Sequence, residues 1–208
     1  MIGFPEPKPL SGVRARLEPL GLQHAQDLAI AAEEDRGAYN FTWVPRGDNI
    51  DEYVEFHLDR AAKGISVPYA IVRLADGMAV GSTAYFEPRY WPGTTDRLRA
   101  LEVGFTWLGA SAIGKGINGE AKLLLMRHAF EDLGVARVDF KTDARNERSR
   151  RALAAIGATF EGTLRRWSQS WAPGEEGGLR DSAMFSVIAE EWPSCEAALA
   201  QRLSGTAR

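Results

Sequence analysis

Cysteine is almost absent from this chain of 208 residues, in which Cys195 is the only one. A single thiol excludes an internal disulfide framework and a cysteine-rich metal site. Cys195 lies in a helical pattern with no evident base beside it, so we predict an inert, partly buried thiol and not a nucleophile. The 3 histidines are scattered without ligand spacing, and we therefore predict no metal site.

An excess of positive charge and a long apolar run are also absent. The formal net charge is −3 and the calculated pI is about 5.7, which favours neither nucleic acid nor an anionic membrane as a partner. No apolar stretch approaches the length of a membrane span. Prolines at positions 5, 7 and 9 interrupt the region where a signal peptide would need a continuous apolar segment. We expect a cytoplasmic protein.

Periodic apolar patterns predict an α/β fold in one domain over residues 1–208, after an extended, proline-containing lead-in at 1–12. Neither an internal repeat nor a Pro/Gly/Ser linker divides the chain. Consecutive strand pairs, with a hairpin turn at Asp76-Gly77, favour a mixed sheet. The predicted strands are 13–18, 67–74, 79–86, 101–108, 137–141, 159–171 and 179–188. The predicted helices are 22–34, 48–63, 118–133, 146–156 and 190–203.

A glycine-containing turn joins the strand at 101–108 to the most regular helix. Gly114 and Gly116 allow backbone N–H groups to converge, and the helix N-terminus adds its positive end, so the turn is a candidate anion site. A plain strand-to-helix loop is the alternative. Lys115 is followed by glycine and not by Ser or Thr, which excludes the Walker pattern, and the dinucleotide pattern lacks its third glycine.

The glycine turn has Gly116 as the central glycine of the segment from Ile113 to Asn118. Further along, Asn146 and Ser149 form an Asn-x-x-Ser pattern. Together with the order of the predicted elements, these motifs make the chain resemble the GNAT superfamily of acetyltransferases, in particular the RimJ/RimL branch of ribosomal-protein alanine N-acetyltransferases. The pyrophosphate motif of that superfamily, Gln/Arg-x-x-Gly-x-Gly/Ala, falls on residues 113–118. Ile113 and Asn118 depart from the usual residues, and we expect Asn118 to cap the helix that it begins.

The resemblance implies a mostly antiparallel, seven-stranded sheet flanked by helices, with a splay between the fourth and fifth strands. Acetyl-CoA would lie in that splay, and a homodimer through the late strands is compatible with the family. A bulge in the fourth strand would free an N–H for the thioester carbonyl, for which Thr106 is the candidate. The residues implied to bind the cosubstrate are Thr106, Trp107, Leu108, Ile113, Gly114, Lys115, Gly116, Ile117, Asn118, Asn146 and Ser149.

The catalytic candidates are Glu102, Ser149 and Asn146. By resemblance, Glu102 is the general base, although a water relay or a structural pairing with a neighbour such as Arg99 is the alternative. Strand alternation predicts that Glu102, Gly104 and Thr106 share one face. Ser149 would protonate the CoA thiolate and Asn146 would bind the pantetheine arm, unless both serve only the start of a helix.

These assignments predict acetyl transfer to a primary amine, either a small molecule or a protein N-terminus, by direct attack in a ternary complex. A non-catalytic CoA-binding sensor or assembly module is the alternative. The acceptor site is expected near the aromatic and basic residues between the first two helices and beside the late hairpin: Tyr39, Phe41, Trp43, Arg46, Trp167 and Trp171.

Overall fold

The computed structural model describes residues 4, 6–91 and 97–205, so part of the predicted lead-in lies outside the described residues. The strands are β1 (Leu10–Ser11), β2 (Ala15–Pro19), β3 (Ser66–Arg73), β4 (Ala79–Arg89), β5 (Ala100–Leu108), β6 (Arg137–Asp143), β7 (Thr159–Gln169) and β8 (Leu179–Ile188). The α-helices are α1 (Ala25–Glu33), α2 (Ile50–Ala62), α3 (Ile117–Arg127), α4 (Glu147–Ala155) and α5 (Trp192–Gly205).

All the described strands form one sheet in the order β1-β2-β3-β4-β5-β6-β8-β7. Among them, only β5 and β6 run parallel as neighbours, which confirms a mixed, mostly antiparallel α/β fold. The predicted number of seven strands was wrong, because the sheet has 8. The additional strand is Leu10–Ser11, which a tight turn at Gly12 folds back onto Arg16 and Leu17.

The helix after the glycine turn begins one residue earlier than predicted. Gly116 is its N-cap and has a positive φ of 78°, a conformation that side-chain-bearing residues rarely adopt. Asn118 therefore lies inside the first turn, and the prediction that it caps the helix was wrong. The helical stretch continues beyond Arg127 as a π turn at His128–Asp132. Within the described part of the chain, no helix combines the length and hydropathy needed to cross a bilayer.

The sheet is covered by helices on both faces. Tyr69 and Ile71 of β3 belong to the larger apolar cluster, together with residues of α3, α4 and α5. The intervening Ala70 and the following Val72 belong to a second cluster with α1 and α2. Because successive side chains of a strand point to opposite faces, α3–α5 cover one face and α1–α2 cover the other.

A buried carboxylate ties the first hairpin to α3. Glu120 accepts backbone hydrogen bonds from Val13 (3.0 Å), Arg14 (2.6 Å) and Ala15 (2.7 Å), and it is only 5% exposed. The Arg14 side chain then donates to the carbonyl of Leu203 in α5 at 2.8 Å. The Glu120 carboxylate and the Arg14 side chain thus hold together the turn before β2, the start of α3 and the end of α5.

We expect Glu120→Gln to lower the free energy of unfolding by about 3 kcal/mol, because an amide presents one acceptor oxygen and two donors to three backbone donors. Urea unfolding followed by tryptophan fluorescence measures this change. Exposed Glu190 supplies the matched control, Glu190→Gln, which should leave the transition in place. Equal midpoints for the two variants would contradict a structural role for the Glu120 carboxylate.

Candidate active site

The central feature of the sheet is a gap between β5 and β6. The two strands pair only from Ala100 to Glu102, opposite Arg137 to Asp139, although β5 continues to Leu108 and β6 to Asp143. This confirms the predicted splay. The gap opens into a cavity of about 690 Å³, where the facing backbone groups of the strands need partners other than each other.

A β-bulge bends β5 at the mouth of this gap. Gly104 pairs with Ala84 and Trp107 with Ser82, so two residues of β5 oppose one of β4 between these pairs. Phe105, inside the bulge, has a positive φ of 49°. A bulge leaves an unpaired residue in the ladder and redirects the side chains that follow it.

The bulge makes the predicted alternation along β5 wrong for Thr106. A Cβ on Gly104 would lie 3.6 Å from a Glu102 oxygen, so these two residues do share a face. Thr106 instead points toward α3, where its hydroxyl is 2.7 Å from the Lys122 ammonium. Trp107 points toward α2 and donates to the Tyr53 hydroxyl at 3.1 Å.

The glycine turn forms one end of the cavity. Gly114 and Gly116 have positive φ values of 77° and 78°, and the first helical bond runs from the Glu120 N–H to the Gly116 carbonyl. The N–H groups of the first turn therefore have no acceptor within the helix. The buried Oδ1 of Asn118 lacks a hydrogen-bond partner among the described residues. The open N–H groups suit an anion, whereas the Asn118 oxygen is an acceptor and needs a donor.

The predicted cosubstrate residues meet at this cavity with two exceptions. Lys115 has an exposed side chain and Ile117 is buried in the core, so only their backbone groups remain candidates. Ile113 is 39% exposed and offers no hydrogen bond from its side chain. The predicted residues that line the cavity are Glu102, Thr106, Trp107, Leu108, Ile113, Gly114, Gly116, Asn118, Asn146 and Ser149.

The start of α4 forms the wall opposite β5. Asn146 is the N-cap, and its Oδ1 accepts from the Ser149 N–H at 3.0 Å. The capping role that was considered as an alternative is therefore present. The same helix face also lines the cavity through Ser149, Ala152, Leu153 and Ile156, so the cap does not remove these residues from the site.

Glu102 lies where β5 and β6 separate and is 3% exposed. Burial raises the pKa of its carboxyl group to about 7, against the opposing effect of Lys141, whose Nζ lies 3.2 Å from Oε2. Its ionic partner is thus Lys141 and not Arg99, which lies over the Trp91 ring. A carboxyl group with a pKa near neutrality is suited to accept a proton.

Sequence reasoning missed a second buried group, Lys122. It lines the cavity, donates to Thr106 Oγ1 at 2.7 Å and lies 5.7 Å above the Phe140 ring. Burial lowers the pKa of its ammonium group to about 7. The available signal was its position four residues after Asn118, which places both on one side of α3.

Aromatic side chains line the part of the cavity on the α1–α2 side of the sheet. Trp43 and Trp171 stack with their ring centroids 5.4 Å apart, and Phe41 and Tyr39 also line the space. Two of the residues expected here lie elsewhere: Arg46 is exposed and 3.8 Å from Glu33, and Trp167 is 57% exposed.

Comparison with known proteins agrees with this geometry. Residues 14–159 match the acetyltransferase (GNAT) domain family. The FsC-acetyl coenzyme A-N(2)-transacetylase of Aspergillus fumigatus is 29% identical over 195 residues, which cover 88% of this chain and 77% of that protein.

Solved structures share the fold. A GCN5-related N-acetyltransferase from Brucella melitensis superposes with a TM-score of 0.78 at 29% identity, covering 96% of this chain and 86% of that one. Mycobacterium smegmatis RimJ, solved in complex with CoA-disulfide, gives a TM-score of 0.74 at 21% identity, with 94% and 93% covered. The chain belongs to the GNAT family of acetyltransferases, and it is an acetyl-CoA-dependent N-acetyltransferase.

Proposed function

We propose that the protein transfers the acetyl group of acetyl-CoA directly to a primary amine while both are bound. The observation that carries this proposal is the position of Glu102. It lies buried at the point where β5 and β6 part, with a pKa of about 7. A base of this strength can take a proton from an ammonium group at neutral pH without being permanently protonated itself.

The cavity supplies the groups that acetyl-CoA needs. The backbone N–H groups from Gly114 to Gly119 would hold the pyrophosphate, and the free edge of β5 near Thr106 would pair with the pantetheine arm. Asn146 would hold that arm from α4. When bound, acetyl-CoA supplies an activated thioester whose thiol is the leaving group.

The side chains and backbone around the gap divide the remaining work. The Thr106 N–H, in the bulge, would polarise the thioester carbonyl. Glu102 would accept the amine proton, and Ser149 would pass a proton from water to the departing thiolate, so that the serine hydroxyl is restored. Direct attack is favoured because Cys195, the one thiol, is buried with its Sγ 2.6 Å from the Ile156 carbonyl.

We expect Gly116→Val to abolish acetyl-CoA binding, because a β-branched residue is strained at a φ of 78° and its Cβ would meet Arg14 at 3.3 Å. Isothermal titration with acetyl-CoA measures the loss. Gly174→Val is the matched control, since Gly174 has a φ of 79° with open space around it. Equal affinities of the two variants would exclude the glycine turn as the phosphate site.

We expect kcat/KM of the wild-type enzyme to fall as pH drops through about 7, because the protonated Glu102 carboxyl group cannot accept a proton. Glu102→Gln should lower kcat by about 100-fold and remove this titration, while acetyl-CoA affinity stays unchanged. Ionisation of the acceptor amine affects both enzymes alike and cancels in their ratio.

Glu87→Gln is the control for that experiment, because Glu87 lines the same cavity with a 57% exposed side chain. It should keep the wild-type kcat at high pH and still titrate, with the fall in kcat/KM moved to a lower pH, because the Glu87 charge helps to raise the pKa of Glu102. A Glu102→Gln enzyme that keeps the wild-type profile would rule out Glu102 as the base and favour a water relay.

Asn146→Asp separates the capping role of this residue from its role in binding. Aspartate caps helices as well as asparagine does. The melting temperature should therefore stay within about 2 °C of the wild-type value, which corresponds to a change of under about 1 kcal/mol in the free energy of unfolding. The added charge and the lost amide donor should weaken acetyl-CoA binding by tenfold or more. Unchanged affinity with unchanged stability would leave Asn146 as a cap only.

A panel of amines and peptide N-termini, assayed by release of free CoA, tests the reaction class. Release with at least one acceptor is expected. Tight acetyl-CoA binding without release on any acceptor would favour a binding module instead.

A further inference from the structure

Basic side chains outnumber acidic ones around the cavity. Two carboxylates, Glu87 and Glu102, are among its lining residues. The basic residues that line it are Arg60, Lys122, Lys141, Arg148, Arg180 and Arg202. The CoA phosphates account for positive charge near the glycine turn, but Arg60 and Arg180 belong to a different part of the cavity.

Arg180 lies on the side of the sheet that carries Glu102. In β8, Ala183, Phe185 and Val187 pack into the cluster with α3, α4 and α5, so strand alternation directs Arg180 to the opposite face. Its Nη1 is 3.5 Å from the carbonyl of Phe41, a residue of the α1–α2 connection. The guanidinium therefore projects into the aromatic part of the cavity.

The hydrogen-bonding capacity of Arg180 is poorly used. Its Nε is buried and has no partner among the described residues, and the described part of the chain places no carboxylate within 4.0 Å of it. Burial lowers the pKa of this guanidinium against the attraction of Asp143. A partly buried cation with unused donors is costly unless an anion reaches it.

Arg60 repeats this situation from α2. Its guanidinium lies 5.6 Å from the ring centroids of both Phe56 and Phe105. Its Nε is also buried without a hydrogen-bond partner in the described structure. Two arginines outside the cavity differ, since Arg145 and Arg137 each bind two carboxylates.

We propose that the acceptor amine carries an anionic group, a carboxylate or a phosphate, that binds Arg180 and is attracted by Arg60. Its amine would then reach Glu102, and an apolar, planar part would lie against the stacked Trp43 and Trp171. This inference rests on the proposed function, because it assumes that the aromatic part of the cavity receives the acceptor.

Matched amine pairs, which differ by one anionic group, test the proposal. The pairs are phenethylamine with L-phenylalanine, and tyramine with its phenolic phosphate ester, tyramine O-phosphate. We expect the anionic member of a pair to have at least about tenfold higher kcat/KM. Arg180→Met should lower kcat/KM about tenfold or more for the anionic member only. Arg180→Lys should give a kcat/KM between those of the wild type and Arg180→Met. Arg60→Met should act in the same direction. Arg165→Met, on an exposed arginine of β7, is the control and should change neither.

A binding measurement tests, without turnover, whether Arg180 binds the anionic group of the acceptor. 3-Phenylpropionate, which lacks the amine, should bind the enzyme loaded with acetyl-CoA, and Arg180→Met should abolish that binding. Acetyl-CoA affinity should stay unchanged in Arg180→Met, whereas a weakened affinity would assign Arg180 to a CoA phosphate and overturn the proposal. Equal use of both members of each pair, or no binding of 3-phenylpropionate, would also overturn it. Absence of CoA release with every amine counts against the proposed function alone.

Discussion

The separation of β5 from β6 is the constraint on which the rest of this structure depends. Two parallel neighbours that pair only as far as Glu102 and then diverge leave backbone donors and acceptors in the interior of a sheet. Such groups are tolerated when they line a space that a polar ligand fills. The bulge at Phe105 lies in the part of β5 that borders this gap, and the starts of α3 and α4 lie on either side of it. The fold therefore supplies a binding slot before any side chain is considered.

Burial in this slot acts in opposite directions on its acid and on its lysine. It raises the pKa of Glu102 to about 7 and lowers that of Lys122 to about 7, because a poorly hydrated site disfavours either charge. The two groups lie on opposite faces of β5 and have different partners. Lys141 approaches Glu102, whereas Lys122 donates to Thr106. One physical effect thus brings the pKa values of both groups close to neutrality.

The parts of the site made by backbone were accessible from sequence, and several made by side chains were not. Gly116 could be recognised because few residues other than glycine adopt the positive φ that this helix start requires. The face on which Thr106 lies could not be predicted, because the alternation rule assumes an unbroken ladder. The bulge has a positive φ at Phe105, which is not a glycine, and such a bulge has no clear sequence signal. Leu10–Ser11 was missed because a two-residue strand is too short to show a period. Lys122 was hidden within an apolar helix.

This difference explains why family membership determines the cosubstrate more firmly than the acceptor. The proposed acetyl-CoA end of the cavity is built from strand edges and helix starts, which follow from the topology of the sheet. The other end is built from the side chains of Phe41 and Trp43 in a connection, Trp171 at a strand end, and two arginines. Substitutions at such positions leave the sheet intact, so acceptor choice can change while the fold persists. The proposed contact between Arg180 and an anionic group of the acceptor therefore rests on the side chains of this cavity and not on similarity to any relative.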